Sequence, residues 1–238
     1  WKRGRNCCSL CLPYKTMSLR IIKTSDGSDT IFNSELNETY HSLNGSINES
    51  NIVYIQNGLE YYLNRKKENN IKILEIGFGT GLNFLLTYIF LEKRNEKIYY
   101  HTLEPYPLPN EIIKKLNYVS KIGNQYGDIF NLSHNLKNDK KNTVTKKIDF
   151  LKSKISIEDI ALSNNYDIIF FDAFAPSKQP SIWNKKNLNK IYSNMKDGAI
   201  LVTYCSSGQF KRDLKSIGFE VEVLPGPMGK KEMVRAVK

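Results

Sequence analysis

The chain has 238 residues, 40% of them hydrophobic and 25% charged, which suits one well-buried globular domain with small appendages and leaves too little for two full domains. Lys and Arg total 35 against 24 Asp and Glu, a formal charge of +11 that favours a polyanionic partner, because each neutralised phosphate releases a counterion. A second reading is a compositional bias, since Lys and Asn are abundant throughout.

Residues 1–16 carry neither helical nor strand periodicity, and Met17 follows just before the first patterned segment. They are expected to form an extension outside the fold, with a basic arm touching RNA as the alternative. Cys7, Cys8 and Cys11 cluster here and Cys205 stands far away, so neither a disulfide framework nor the paired clusters of a zinc site can be assembled. The segment lacks the apolar core and cleavage site of a secretory signal. No run approaches the roughly 18 apolar residues of a membrane helix. A cytoplasmic protein with no metal and no membrane partner is expected.

Residues 17–70 are expected to form a small cap on the edge of a sheet. They contain Tyr40-His41-Ser42-Leu43-Asn44-Gly45, and Ile52–Ile55 resembles a short strand. From Ile71 the pattern becomes regular and predicts a Rossmann-like α/β unit over 71–238. Strands are predicted at Ile71–Ile76, Ile98–Leu103, Tyr166–Phe171 and Ala199–Tyr204, with helices at Leu82–Leu91, Pro109–Leu116, Lys185–Met195 and Gln209–Ser216. The Asn- and Lys-rich stretch 123–147 reads as a solvated loop and Ile155–Leu162 as helix-like. Glu220–Leu224 and Glu232–Val237, joined by Pro225-Gly226-Pro227-Met228-Gly229, predict an antiparallel hairpin, because that connection is too short for a parallel crossover. The expected architecture is a mostly parallel sheet ending in an antiparallel strand.

The chemistry concentrates where strands end. Glu75-Ile76-Gly77-Phe78-Gly79-Thr80-Gly81-Leu82-Asn83 joins a buried strand to a helix, and its glycines let the backbone turn sharply and approach a ligand. A dinucleotide fingerprint needs glycine where Leu82 stands, and the Gly-Lys-Ser/Thr phosphate grip is absent. The acid at Glu75 would repel pyrophosphate and suits a ligand with a positive amino acid moiety. Glu104, at the end of the next predicted strand, is placed to accept both ribose hydroxyls of an adenosine. Together these point to S-adenosylmethionine as cofactor, held by Glu75, Gly77, Phe78, Gly79, Thr80, Gly81, Asn83 and Glu104. For the adenine side Asp149 is preferred and Asp128 is the alternative. Asp172 follows the predicted strand Tyr166–Phe171 beside the glycine loop, where it would orient or deprotonate an attacking amine; the alternative is a cap on the following turn.

The residues further resemble the methyltransferase domain of the MnmC-type enzymes that modify the wobble uridine of transfer RNA. The likeness covers most of Ser18–Lys238 and runs through Asp26-Gly-Ser28, Tyr40 to Gly45, Leu74 to Phe84, Glu104-Pro-Tyr-Pro-Leu108, Asp172 to Trp183, Thr203 to Gly208, Gly218-Phe219 and Pro225 to Met233. It implies a class I S-adenosylmethionine-dependent methyltransferase that methylates the aminomethyl nitrogen of 5-aminomethyluridine or its 2-thio form, with Asp172 catalytic. Tyr40 and His41 would line the substrate side, Phe174 or Trp183 would wall the base, and Pro176 would stiffen their loop. Lys230 and Lys231 in the hairpin would reach the anticodon stem-loop, with Lys211, Arg212 and Arg235 as further phosphate contacts. Many members carry a fused flavin-dependent oxidoreductase, for which no room is expected in 238 residues; its step is then expected from a separate enzyme that supplies the aminomethyl intermediate, or is unnecessary because the aminomethyl form is made directly. The rival readings are N-methylation of a small-molecule amine, a dinucleotide oxidoreductase and a non-catalytic RNA-binding module.

Overall fold

A computed structural model describes residues 18–163 and 165–238; the reading of residues 1–16, with its three cysteines, lies outside them. The chain opens with β1 (Leu19–Lys23), β2 (Asp29–Asn33) and β3 (Glu38–Thr39), an antiparallel three-stranded sheet. A continuous helical stretch follows, made of α1 (Ser46–Ser50), a π-helix (Asn51–Glu60) and α2 (Tyr61–Arg65). Ile52–Ile55 is therefore helix and not strand. A short apolar run carries no decisive period, whereas Tyr54, Gly58 and Tyr62 recur every fourth residue on the face turned to the core.

The main sheet then builds from β4 (Asn70–Ile76), β5 (Lys97–Leu103), β6 (Lys141–Thr145), β7 (Ile148–Ser153), β8 (Tyr166–Phe171), β9 (Met195–Thr203), β10 (Glu220–Pro225) and β11 (Glu232–Val237). Its order is β10-β11-β9-β8-β4-β5-β7-β6, with the five strands β9, β8, β4, β5 and β7 parallel. The predicted hairpin is present, with β11 inserted antiparallel between β9 and β10. Antiparallel β6 closes the other edge.

Three further differences concern segments without a clear period. Within 123–147 lie α6 (Gly127–Asn135) and β6, so the stretch is not a solvated loop. Ile129 and Phe130 bury one face of α6, and the buried Lys152 donates to the carbonyls of Ser133 and His134 at the helix end. That contact satisfies orphan carbonyls and sets a cation against the negative end of the helix. Ile155–Leu162 forms turns instead of a helix, and Pro109–Leu116 yields only the four-residue α4 (Asn110–Ile113) before α5 (Tyr118–Ile122).

Side chains alternate across the sheet as the two-residue strand period requires. Ile73, Ile168, Phe170 and Val202 face one core together with Val53, Leu59 and α3 (Leu82–Leu91). Leu74, Ile169, Phe171 and Leu201 face the other, against Leu188 and Ile191 of α7 (Lys185–Ser193) and Phe210 and Leu214 of α8 (Gly208–Ile217). Helices thus cover both faces of a doubly wound sheet. Gly58 lets the π-helix lie on it: a Cβ there would come 3.0 Å from Val202 Cγ2 and 3.1 Å from Phe170 Cε1. From β4 the chain moves outward through β5 and β7, then returns to β8 on the opposite side of β4. The crevice at the carboxyl ends of β4 and β8 is the switch point where such sheets bind ligands. No described helix is long and apolar enough to cross a membrane.

Candidate active site

A cleft opens at that switch point, the place where such sheets hold ligands. The turn after β4 supplies Gly77, Phe78, Gly79 and Thr80, the end of β5 supplies Glu104, and the end of β8 supplies Asp172 and Phe174. Gly77 has φ +93°, and a Cβ there would lie 2.5 Å from the carbonyl oxygen of Asp172. Only glycine allows the two turns to approach so closely. Tyr40 and His41 reach the cleft from the segment after β3.

Glu104 is 8% exposed, and burial raises its pKa. Gly79 N–H donates to Oε2 and Tyr106 N–H to Oε1, both at 2.9 Å. With the Phe78 N–H also beside it, the carboxylate is held in place at the cleft by backbone donors, where a diol would meet an oriented acceptor. His41 and Thr80 share a hydrogen bond of 2.6 Å between Nε2 and Oγ1, and burial lowers the His41 pKa to about 4. The imidazole is neutral at physiological pH.

Asp172 lines the cleft just beyond the end of β8. Tyr54 Oη–H donates to Oδ1 at 2.6 Å, and Asn83 Nδ2 donates to Oδ2 at 2.7 Å. Burial pushes the Asp172 pKa up to about 7, against the opposing effect of these hydrogen bonds. Such a carboxylate is a far better proton acceptor than an exposed Asp. Sequence reasoning misses Tyr54, which stands inside a segment that resembles a strand; its spacing of four from Gly58 is the signal that marks the helix and the face it presents.

The other expected residues divide. Glu75 is fully buried behind the glycine turn, with Oε1 accepting from Asn83 Nδ2 at 3.1 Å and the Thr102 and Tyr100 hydroxyls beside its carboxyl. Burial lifts its pKa to about 8, which favours its protonated form at neutral pH. Asn83 bridges it to Asp172, and both Asn83 and Gly81 lie behind the cleft wall instead of lining it. Asp149 lies near the amino end of β7, opposite Tyr99, where it accepts from Thr143 and pairs with Lys141 at 2.7 Å. That is the wrong end of the strand. Asp128 is exposed in the first turn of α6, and Ile155, Ser156 and Ile157 line the cleft beyond β7 in place of the expected acid.

Trp183 is buried against Phe171 at 4.4 Å and Phe210 at 5.1 Å, and its Nε1–H donates to Phe174 O at 2.7 Å. It braces the loop and does not wall the cleft; Pro176 also stands outside the lining. Phe174 does line the cleft and meets Tyr40 edge-on at 4.8 Å. Lys230 turns inward, pairing with the buried Glu49 and lying 3.9 Å from the Tyr204 ring centre. Lys211 pairs with Glu232, and Arg235 pairs with Glu222 over the Tyr61 ring. Arg212 donates to Gln209 Oε1 at 2.8 Å and remains exposed. Lys231 is likewise exposed at the hairpin.

A family model described as S-adenosyl-L-methionine-dependent methyltransferase matches residues 117–238. The tRNA 5-methylaminomethyl-2-thiouridine biosynthesis bifunctional protein MnmC of Leptospira interrogans is 30% identical over 217 residues, which is 84% of this chain and 32% of that protein. The protein of the same name from Campylobacter hominis is 27% identical over 212 residues, 87% of this chain and 31% of the relative. The chain thus spans about a third of the length of the curated relatives it matches. Among solved structures, MNMC2 from Aquifex aeolicus has a TM-score of 0.74 at 21% identity, with 92% of this chain and 69% of that one covered. Spermidine synthase from Thermotoga maritima has a TM-score of 0.51 at 15% identity over the same shares. At these identities the structural likeness is one of fold.

Proposed function

Since the chain belongs to the S-adenosyl-L-methionine-dependent methyltransferase family, we propose that its acceptor is the aminomethyl nitrogen on carbon 5 of a transfer RNA wobble uridine or 2-thiouridine, and that the product is the 5-methylaminomethyl form. The observation that carries this reading is Asp172, a half-buried carboxylate with both oxygens anchored at the cleft, on a chain whose relatives bear the name of that nucleoside's biosynthesis.

The cleft fits the cofactor by its donor set. The turn from Gly77 to Thr80 would accommodate its close approach, and the Glu104 carboxylate would accept from the ribose hydroxyls. When bound, S-adenosylmethionine supplies an electrophilic methyl group on a sulfonium. The chain's own task is to deliver a neutral amine. An alkylammonium has no lone pair to attack with, so Asp172 accepts its proton and holds the resulting amine by a hydrogen bond. Tyr40 and Phe174 would flank the flat base, and a flipped-out nucleotide could enter edgewise between cleft and solvent. The exposed Lys231 and the net charge of +11 would attract the phosphate backbone. An earlier reaction must place the aminomethyl group on carbon 5.

The test is incubation of purified protein with S-adenosylmethionine and either transfer RNA bearing 5-aminomethyluridine or free alkylamines, followed by mass spectrometry. A methylated nucleoside formed only from the RNA supports the reading; methylated free amine with untouched RNA would replace it by small-molecule N-methylation.

A further inference from the structure

Tyr54 makes the shorter of the two hydrogen bonds to the Asp172 carboxylate, 2.6 Å against 2.7 Å from Asn83. Its ring is 1% exposed and packs on Phe170 at 5.3 Å, while the π-helix that carries it is drawn onto β8 and β9 at Gly58. The hydroxyl is therefore set by packing from a separate element of the fold. A π-helix of this length is rare, and π segments are often found at functional sites. Burial and the neighbouring Asp172 raise the Tyr54 pKa far above its ordinary range, so the phenol remains a donor across the working pH.

Two donors on opposite oxygens fix the plane of a carboxylate and leave one lone pair on each for a third partner. Asn83 cannot do this alone, because its amino group is shared with Glu75 at 3.1 Å. We propose that Tyr54 is a positioning residue for methyl transfer: by donating to Oδ1 it fixes the plane of the Asp172 carboxylate and aims its remaining lone pairs at the incoming amine. The inference rests on the proton-accepting role proposed above for Asp172.

Other groups around Asp172 leave this bond as the adjustable one. Glu49 and Lys230 act on it with opposite sign and are paired with each other. Tyr204 already donates its hydroxyl to Ala173 O at 2.8 Å. Glu75 stands behind Asn83, its protonated form favoured at neutral pH. The Tyr54 hydrogen bond opposes the rise that burial imposes on the Asp172 pKa, so its removal moves that pKa upward.

Tyr54→Phe keeps the ring against Phe170 and deletes only the donor. The expected result is a kcat about tenfold lower at pH 7, an unchanged KM for S-adenosylmethionine, and an acid limb of the pH–rate profile displaced upward by about one unit. Carbon-13 NMR of the Asp carboxyls in the protein alone, with Asp172→Asn identifying the signal, should show the Asp172 midpoint displaced the same way. A Phe variant with the wild-type rate, profile and midpoint would overturn the inference. If the wild-type protein fails to methylate the RNA, the reading of the substrate falls, and the NMR midpoint alone decides the role of Tyr54: displaced supports it, unmoved overturns it.

Discussion

Replacing Asp172 by Asn separates proton acceptance from binding. The amide has nearly the shape of the carboxylate but offers one oxygen where Tyr54 and Asn83 now donate to two. One of these donors must turn away, at a cost of about 1 kcal/mol. That loss is offset because burial disfavours the Asp172 charge, whose pKa stands at about 7, so folding stability should change by less than about 1 kcal/mol. Activity should respond very differently. Loss of a positioned general base lowers the rate by about 100- to 10,000-fold, or about 3–5 kcal/mol of barrier. The Gly77 to Thr80 turn and Glu104 are untouched, so S-adenosylmethionine affinity should stay within about threefold, well under 1 kcal/mol. Single-turnover methylation of the RNA measures the first quantity and calorimetry the second. Wild-type turnover in the variant, or a loss of cofactor affinity as large as the loss of rate, would refute the role assigned to Asp172.

Three other outcomes follow from the same geometry. Glu104→Ala leaves the N–H groups of Gly79 and Tyr106 without their acceptor and removes both ribose contacts, so calorimetry should show a cofactor Kd about 10- to 100-fold weaker; an unaltered Kd would remove Glu104 from the site. Glu75, with a pKa of about 8 in the fold, retains a proton that the unfolded chain releases near the ordinary glutamate value of 4.5, so between those values stability falls as pH rises, by at most about 1.4 kcal/mol per unit. Denaturant titrations should show a shallower pH dependence in Glu75→Gln, and an identical slope would mean that Glu75 is ionised in the fold. Finally, Lys230→Ala strands the buried Glu49 carboxylate and should cost about 2–3 kcal/mol after allowance for partial exposure, whereas Lys231→Ala should leave stability nearly unchanged and reduce the salt slope of RNA binding by about 1. Equal stabilities of the two variants would show that the Lys230–Glu49 pair is not formed in solution.

Much of the site is legible in short stretches of chain. Gly77 to Thr80, Glu104 and Asp172 each stand directly after a run of buried residues, and a strand end in a parallel sheet is where a side chain can meet a ligand without interrupting the ladder. The same logic misleads at Asp149: an acid after a short apolar recovery resembles a strand end, but the strand runs on to Ser153, and Asp149 belongs to its beginning. Trp183 and Lys230 escape it because neither burial nor pairing can be read from an isolated residue. Trp183 is an aromatic that the second core needs, and Lys230 is the countercharge of an acid in a distant helix.

The amino-acid order alone determines where the backbone turns and which acids stand at those turns, because backbone preference and side-chain alternation act over a few residues. What only the folded chain decides is how tightly each of those acids holds its proton and which donors face it. Glu75 and Asp172 lie on adjacent parallel strands or just beyond them and share one Asn83 amide, yet burial favours the protonated form of the first while Tyr54, 118 residues away in sequence, donates to the second. Proton affinity depends on the surrounding dielectric and on donors brought in from remote segments, and packing is what sets both.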